Sequence, residues 1–538
     1  MAVLPKGILS VSIFRGRGLR PSGNPYLVCQ FQGVTHISKG PKLDGESEEI
    51  NGGPRRGKRR EAGGGKDSTS LALPIAMSSN REGSSSGRRS YRAVPLEIKS
   101  IINPIWDWDV SFDIFSGVSE LVVQVYDRSD GGNAFLGLLR FNPGSIRAGE
   151  NYKYWCSLEP RVDEKDPKIT GEIYIGISFQ TTRKETYGPE DFQILDLIGE
   201  GTDGQAFKIR KKDTKSIYAM KVWQKKITDV PQRRIPHLLF IAGTKFSFEA
   251  GINLYIVTDY LPGGELFCHF EKEGRWFSEE RVRFYVAEIV LALEELHNHN
   301  IIYRDLKPEN ILLDATGHIG LCGFGLSRTS KVLRTNTFCG TTEYLAPEVL
   351  LDENGFTNMV DFWSLGVLFF HMSFGWSPFY ADTQQMYKNI CFGKARFPRN
   401  VLSTEGVNLV KGLLNRNPKH RLGVSGGAEE LKRHPFFASI EWDALAKKLV
   451  TPPLTPPLES QAGPLVSVLS NSLDNRIATL AANMRSTPFT LGMQANFKGF
   501  TFVDERSLDG HVQRLGVPDE EEEQGNDLED LAIKIHRR

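Results

Sequence analysis

Ile302-Tyr303-Arg304-Asp305-Leu306-Lys307-Pro308-Glu309-Asn310 sets a carboxylate, an ammonium and an amide on one loop, and phosphoryl transfer to a hydroxyl requires groups of these three kinds. Asp305 can accept the proton of an attacking alcohol, Lys307 can neutralise charge on a moving phosphoryl group, and Asn310 can ligate a divalent cation through its amide oxygen. A loop of solvated polar residues competes as a reading of any one group, but nine residues in this order leave it little room.

Upstream, Gly199-Glu200-Gly201-Thr202-Asp203-Gly204 follows the apolar run Ile194–Ile198. A Gly-rich turn lets backbone amides approach phosphate oxygens without hindrance from Cβ, although an ordinary hairpin turn uses the same composition. Tyr218-Ala219-Met220-Lys221 stands on the next strand, where the Lys221 ammonium could reach phosphates or simply be solvated. From Asp191 to about Phe437 a few strand patterns give way to helical ones, the texture of a mixed α and β domain.

The whole chain has 538 residues, with 66 Lys and Arg against 65 Asp and Glu, a net charge of +1 and 40% apolar residues. At roughly 150 residues per domain that length gives about three to four domains, each able to bury a core. Near-neutral charge excludes bulk nucleic-acid binding. No run approaches the ~18 apolar residues of a membrane helix, and Met1–Arg20 lacks a signal-peptide core. The six cysteines (Cys29, Cys156, Cys268, Cys322, Cys339, Cys391) include no Cys-x-x-Cys pair, which points to a reducing, intracellular compartment.

Residues 7–33 read as short strands, with Leu9, Val11 and Ile13 on one face and Tyr26–Cys29 as a second apolar run. From Ser38 to about Arg92 the composition collapses to Gly, Ser, Arg, Lys and Glu, an inserted disordered loop. Strand patterns resume at Trp106–Ile114, Glu120–Tyr126 and Glu172–Phe179, so an antiparallel β-sandwich is expected. Thr451–Leu458 reads as a Pro-rich linker, and the remainder as an extended tail with one aromatic cluster, Phe497–Phe502.

On these residues the chain resembles the protein kinase family, and in detail a fungal Ypk-type AGC serine/threonine kinase, related to the serum- and glucocorticoid-regulated kinases. Supporting matches are Thr337-Phe338-Cys339-Gly340-Thr341-Thr342-Glu343-Tyr344, Ala346-Pro347-Glu348, Asp361-Phe362-Trp363-Ser364-Leu365-Gly366, Arg421 and Phe497-Lys498-Gly499-Phe500-Thr501-Phe502. The N-terminal part resembles a C2 domain through Asn24-Pro25-Tyr26 and Asn103-Pro104-Ile105-Trp106.

The resemblance implies an α+β chain with a bilobal protein-kinase fold, preceded by an antiparallel β-sandwich and followed by an AGC C-terminal tail. The expected domains are a C2-like sandwich at 1–181 with a disordered insert at about 38–95, a catalytic domain at 191–437, and a tail at 438–538 with its hydrophobic motif at 497–502. ATP and magnesium are the implied cofactors. Ile198, Gly199, Gly201, Gly204, Ala206, Ala219 and Leu312 would hold the nucleotide, the Asp259–Leu261 backbone would meet the adenine edge, and Glu265 the ribose. Asp305, Lys307, Asn310 and Lys221 would be the catalytic set, with Asn310 on the metal. Glu265 and Glu309 would receive an Arg upstream of the substrate Ser or Thr. Upstream kinases would phosphorylate Thr337, opposite Arg304, and Thr501, beside Phe500 and Phe502.

The pattern then fails at identifiable places. The family's metal-binding Asp-Phe-Gly stands here as Gly323-Phe324-Gly325, and a lost transition-state stabiliser should cost at least roughly 10²–10³ in rate. Between Lys221 and Phe248 the chain holds no glutamate, and Pro231 and Pro236 interrupt it, so the regulatory helix with its Lys-to-Glu ion pair reads as deleted. Asp203 and Ala206 should weaken ATP binding, and residues 459–485 lack the usual Phe-Asp-x-x-Phe stretch. The expectation is a kinase of impaired activity; the alternative is a catalytically inactive pseudokinase acting as a binding or scaffold protein. A gene model misread around 222–240 and 459–485 would also explain the losses.

For the sandwich, Asp127 and Asp130 share a loop but Gly18–Asn24 offers no carboxylate, so protein or lipid docking is favoured over calcium. Pro54–Arg60 could touch anionic lipid or act as a nuclear signal, or stay solvated. A cytoplasmic monomer, peripheral at membranes and without specific nucleic acid, completes the expectation.

Overall fold

A computed structural model describes residues 7–42, 100–115, 119–128, 133–161, 169–182, 186–201, 204–224, 238–272, 274, 276–324, 327–329, 342–351, 355–456 and 502–503. The first eight strands are β1 (Gly7–Arg17), β2 (Pro25–Phe31), β3 (Val34–Ile37), β4 (Ile105–Ile114), β5 (Leu121–Asp127), β6 (Ala134–Phe141), β7 (Asn151–Ser157) and β8 (Glu172–Thr181). They form two antiparallel four-stranded sheets, ordered β4-β1-β8-β7 and β3-β2-β5-β6. In β1 the side chains of Leu9, Val11 and Ile13 are fully buried, because period-two alternation sends them all to the inter-sheet face. One eleven-residue strand with a bulge between Ile13 and Arg15 replaces the short strand expected there.

Residues 38–42, expected to open the disordered insert, are bonded to the sandwich. The Leu27 amide donates to Ser38 Oγ (2.9 Å) and the Lys42 amide to Ile105 O (2.7 Å), so polar residues 38–42 are anchored through bonds that composition does not reveal. Residues 43–99, with Pro54–Arg60, lie outside the described residues.

The next strands are β9 (Phe192–Gly201), β10 (Gly204–Lys211), β11 (Ile217–Gln224), β12 (Thr244–Ala250) and β13 (Asn253–Asp259). With the late β19 (Phe502–Val503) they form one sheet, ordered β19-β12-β13-β11-β10-β9. Residues 225–237 lie outside the described part, and no described helix stands between β11 and β12. The chain returns at Leu238, and its backbone joins the larger lobe: the Ala242 amide donates to Leu321 O, and the Leu321 amide to Phe240 O, both at 2.8 Å.

The larger lobe is helical: α1 (Leu266–Lys272), α2 (Glu279–Asn298), α3 (Pro347–Leu351), α4 (Met359–Phe374), α5 (Thr383–Phe392), α6 (Thr404–Leu413), α7 (Ala428–Lys432) and α8 (Trp442–Ala446). Short strands β14 (Gly264–Glu265), β15 (Ile301–Ile302), β16 (Ile311–Leu313), β17 (Ile319–Leu321) and β18 (Arg328–Thr329) lie between α1 and α3 or just before α1. Helix α2 starts where Ser278 Oγ accepts from the Arg281 amide, and α4 ends at left-handed Gly375, φ 85°, whose amide donates to His371 O; these are the N-cap and C-cap devices of a stable helix. Helix α4 is buried almost throughout, so it forms the centre of the lobe's core. No described helix is long and apolar enough to cross a membrane.

Two features depart from the sequence reading. Residues 451–456 pack instead of hanging free: Leu454 joins the large core, and Arg161 Nη1 of the sandwich reaches Thr451 Oγ1 at 3.4 Å. Furthermore, the sandwich core and the small-lobe core are continuous. Phe115 meets Phe246 edge-on at 5.2 Å, and buried Asp113 accepts from Lys211 Nζ (2.8 Å), Tyr218 Oη (2.8 Å) and Thr214 Oγ1 (3.2 Å). Apolar burial at such a join is worth roughly 25 cal/mol per Å², while the ringed carboxylate fixes one docking register.

Candidate active site

Residues 303–310 leave β15 under the control of a side chain nearly sixty positions later in the sequence. Fully buried Asp361, in the first turn of α4, accepts from the Tyr303 amide (3.0 Å) and the Arg304 amide (2.8 Å), and lies 2.8 Å from His297 Nε2. These bonds hold Arg304 at φ 64°, a backbone state that costs a non-glycine residue free energy unless its surroundings impose it. The Tyr303 hydroxyl donates to the Cys322 carbonyl, and its ring lies 5.1 Å from that of Phe324.

Held this way, Asp305 points into a ring of partners. Asn310 Nδ2 donates to both Asp305 O and Asp305 Oδ2 at 2.8 Å, and Lys307 Nζ lies 3.2 Å from Asp305 Oδ1. Burial raises the Asp305 pKa; Lys307 and Asn310 oppose that rise, and Glu309 adds to it. A carboxylate of raised basicity beside an ammonium suits proton acceptance from an alcohol. The structure thus brings Asp305, Lys307 and Asn310 together.

Gly323 follows at φ 76°, where a glycine is favoured. A Cβ there would lie 2.3 Å from Asn310 Oδ1, so the Asn310 amide occupies the space a side chain at 323 would enter. Among the described residues no three His, Cys, Asp or Glu side chains gather to hold a metal. Asn310, the expected metal ligand, commits its nitrogen to Asp305 and keeps its Oδ1 on the side of Gly323.

The strand register places the residues expected to face a nucleotide. Ala206 lies opposite Lys221 and Lys208 opposite Ala219; on the other side of β11, Ala219 faces Thr258 and Lys221 faces Ile256. Directly opposed residues share a face, so Ala206, Ala219 and Lys221 form one surface. Gly201 pairs with Gly204 and Gly199 with Ala206, making the Gly-rich segment a tight hairpin tip; Thr202 and Asp203 lie outside the described residues. Ile198 is 45% exposed. Below, Glu265 and Gly320 flank Leu312 in register, and Leu261 Cδ1 covers Gly320. The Lys221 side chain makes no ion pair or hydrogen bond among the described residues. It is close enough to Cys322 to be felt there: burial, then Glu265 and Asp305, raise that thiol, Lys221 and Lys307 oppose them, and the net places it at about 12.

The charge of Glu309 acts on Glu265. Burial and then Glu309 raise the Glu265 pKa, and the same two causes raise Glu343. Glu343 had been quoted only as part of a motif; its proximity to Glu309 enlarges the acidic patch. Two other roles were missed: Asp361 as the anchor of the catalytic loop, and the pairing of Glu348 with Arg421, which meets it bidentately at 2.5 and 2.7 Å with both side chains buried. Both lay in quoted motifs, but a motif does not say which residue it folds against.

Thr337, Thr501 and Phe500 lie outside the described residues. The backbone at Phe502–Val503 pairs with Ser247 and Phe246, extending the small-lobe sheet at β12. In the sandwich, Asp127 is buried and accepts from the Gly23 amide (3.0 Å) and the Asn24 amide (2.7 Å), a turn-capping role. Asn103 Oδ1 likewise accepts from the Gly18 amide, and Trp106 Nε1 donates to Pro25 O.

Comparison with known proteins agrees with this geometry. The protein kinase domain family matches residues 192–437 and the C2 domain family residues 86–158. Serine/threonine-protein kinase SCH9 of Candida albicans is 46% identical over 541 residues, covering 95% of this chain and 68% of that protein. SCH9 of Saccharomyces cerevisiae is 51% identical over 432 residues, covering 76% of the chain and 52% of its own length. Serine/threonine-protein kinase sck1 of Schizosaccharomyces pombe is 44% identical over 547 residues, covering 96% and 74%. The YPK1 kinase of Saccharomyces cerevisiae aligns over 319 residues at 43%, 56% of the chain, so the expected Ypk-type placing is replaced by the coarser one. The chain belongs to the serine/threonine protein kinases of the AGC class, with a C2 domain ahead of the kinase domain.

Proposed function

We propose that this chain is an AGC-class kinase that keeps the groups acting on the substrate hydroxyl and has lost the carboxylate that would hold the metal, so that transfer of the γ-phosphoryl group of ATP to Ser or Thr is strongly slowed. One observation carries this: Asp305, Lys307 and Asn310 stand in mutual contact while Gly323 offers no carboxylate beside them. The family uses ATP and magnesium. Here the residues suit a nucleotide better than a metal ion, because a hard divalent cation prefers several oxygen ligands with charge among them. What the chain's own residues supply is a base for the alcohol proton at Asp305, a cation at Lys307, and an acidic patch for an upstream Arg.

Within the class we place the chain beside the SCH9 and sck1 kinases, on identity over nearly its whole length for the first and third comparisons. Substrates with upstream Arg, activation at Thr337 and Thr501, the three-domain boundaries, and a cytoplasmic site with membrane contact through the C2 domain belong to the same proposal.

The test is label transfer from ATP to an Arg-rich Ser peptide by the full chain, before and after phosphorylation of Thr337, against Asp305→Asn. Weak transfer abolished by Asp305→Asn is expected. No transfer in any state overturns the proposal and leaves the scaffold reading, which Lys221's lack of an ion-pair partner among the described residues favours. Transcript sequencing across 222–240 decides whether the segment read as lacking the regulatory helix is the protein's own sequence.

A further inference from the structure

Asp259 opens the segment proposed to meet the adenine edge, but its carboxylate faces the other way. In the β11–β13 register Ala219 lies opposite Thr258 and Tyr218 opposite Asp259, so Asp259 shares the buried face of Tyr218 and not the nucleotide face of Ala219. On that face the Gly243 amide donates to Asp259 Oδ2 (3.1 Å), and Lys245 Nζ lies 3.1 Å from Asp259 Oδ1. Lys245 is fully buried, and it also donates to Gln32 O of the sandwich (2.9 Å).

The sandwich presents a shaped surface at this point. Gln32, at φ 48°, is held from its side chain: Oε1 accepts from the Phe115 amide (3.1 Å) and Nε2 reaches Ser119 Oγ (3.5 Å). Gly33, at φ 81°, closes over the pair so tightly that a Cβ would lie 2.4 Å from Asp259 Oδ1. Phe115 seals the side, its ring centre 5.6 Å from Lys245 Nζ. A buried ion pair is stable only where further hydrogen bonds complete it, and here the C2 domain provides one of them.

We propose that the β2–β3 turn of the C2 domain positions the nucleotide hinge, acting through Lys245 and Asp259, so that seating of the sandwich sets the backbone at Tyr260 and Leu261. Lys245 and Asp259 are positioning residues: the first acts on the second, and the second on the chain that follows it. The proposal rests on reading 259–261 as the adenine-edge segment, and it adds that the C2 domain controls that edge.

Hydrogen exchange on the nucleotide-free full chain tests it, because that readout does not depend on binding or turnover. Gly33→Val drives a side chain into the Asp259 carboxylate. The Tyr260 and Leu261 amides should then exchange at least ~10-fold faster, while amides of α2 and α4 keep their protection. Asp259→Asn, which keeps the shape and removes the charge, should speed the same amides to a smaller degree, and Gly33→Val on that background should add less than it does alone. Unchanged hinge exchange in a folded Gly33→Val protein overturns the proposal, as does an equal loss of protection in α2 and α4. If Gly33→Val does not fold, Asp259→Asn decides on the same two criteria. Should the hinge respond while the chain fails to bind an ATP analogue, the nucleotide reading falls and the positioning role stands.

Discussion

Asn310 fills the space that a side chain at Gly323 would need, its Oδ1 lying 2.3 Å from where a Cβ would be. The loss of the carboxylate is therefore accommodated in the packing. Gly323→Ala should lower stability by about 1–2 kcal/mol, from the φ of 76° and the contact with Asn310 together, and thermal unfolding of the full chain measures it.

Gly323→Asp carries the same steric cost but adds a metal ligand. Its gain should show first as magnesium-dependent affinity for ATP and only then as turnover, since Asn310 must turn away and loosen its hold on Asp305. Titration with and without magnesium checks this: a rise of roughly 10²-fold in transfer without any change in the metal dependence of binding would contradict it.

The nonamer at 302–310 was legible because its chemistry is local: three functional groups within six residues identify a loop wherever it folds. Leu9, Val11 and Ile13 were legible for a similar reason, period-two alternation. The join between the domains was not. Lys211, Lys245 and Asp113 are buried, yet a lone Lys or Asp between strand residues reads as solvated surface, and only the partner from another domain changes that. Strands β6 and β7 escaped notice as well, the first interrupted by Gly137 at φ 142°, the second half-exposed along its length.

Glu348 and Arg421 give the clearest stability test. Arg421 is fully buried, with Nη1 and Nη2 on Glu348 and Nη1 also donating to Met359 O. Glu348→Ala would leave a buried guanidinium without its counter-charge, at a cost of roughly 3–5 kcal/mol. Denaturant unfolding should show the loss, while the C2 domain's own strands keep their protection up to the transition.

Asp314 makes the protein acid-sensitive. Burial alone would raise its pKa, but Lys448 at 2.7 Å, His318 and the Thr316 hydroxyl outweigh it and hold the group down at about 2. Its folded pKa lies below its ordinary value of 3.8, so the stabilisation is complete above about pH 5 and is lost as pH falls through about 2, on the order of 2 kcal/mol in all. Asp314→Asn should flatten the stability profile in that window and leave its slope near pH 7 unchanged.

Binding of an Arg-containing peptide should weaken as pH falls, as at a simple surface contact, but at higher pH. Burial and the charge of Glu309 raise Glu265 and Glu343 above the ordinary carboxylate range, so these groups take up protons sooner than ordinary carboxylates as pH falls. A bound guanidinium favours their charged forms. Affinity is therefore full above their free pKa values and declines as pH drops through them, before isolated carboxylates titrate. Glu309→Gln removes the neighbour that both share. It should weaken peptide binding at neutral pH by ~10-fold, the size of one charge-assisted contact, and move the remaining pH-dependent loss to lower pH; a peptide with Arg replaced by Gln should show neither effect.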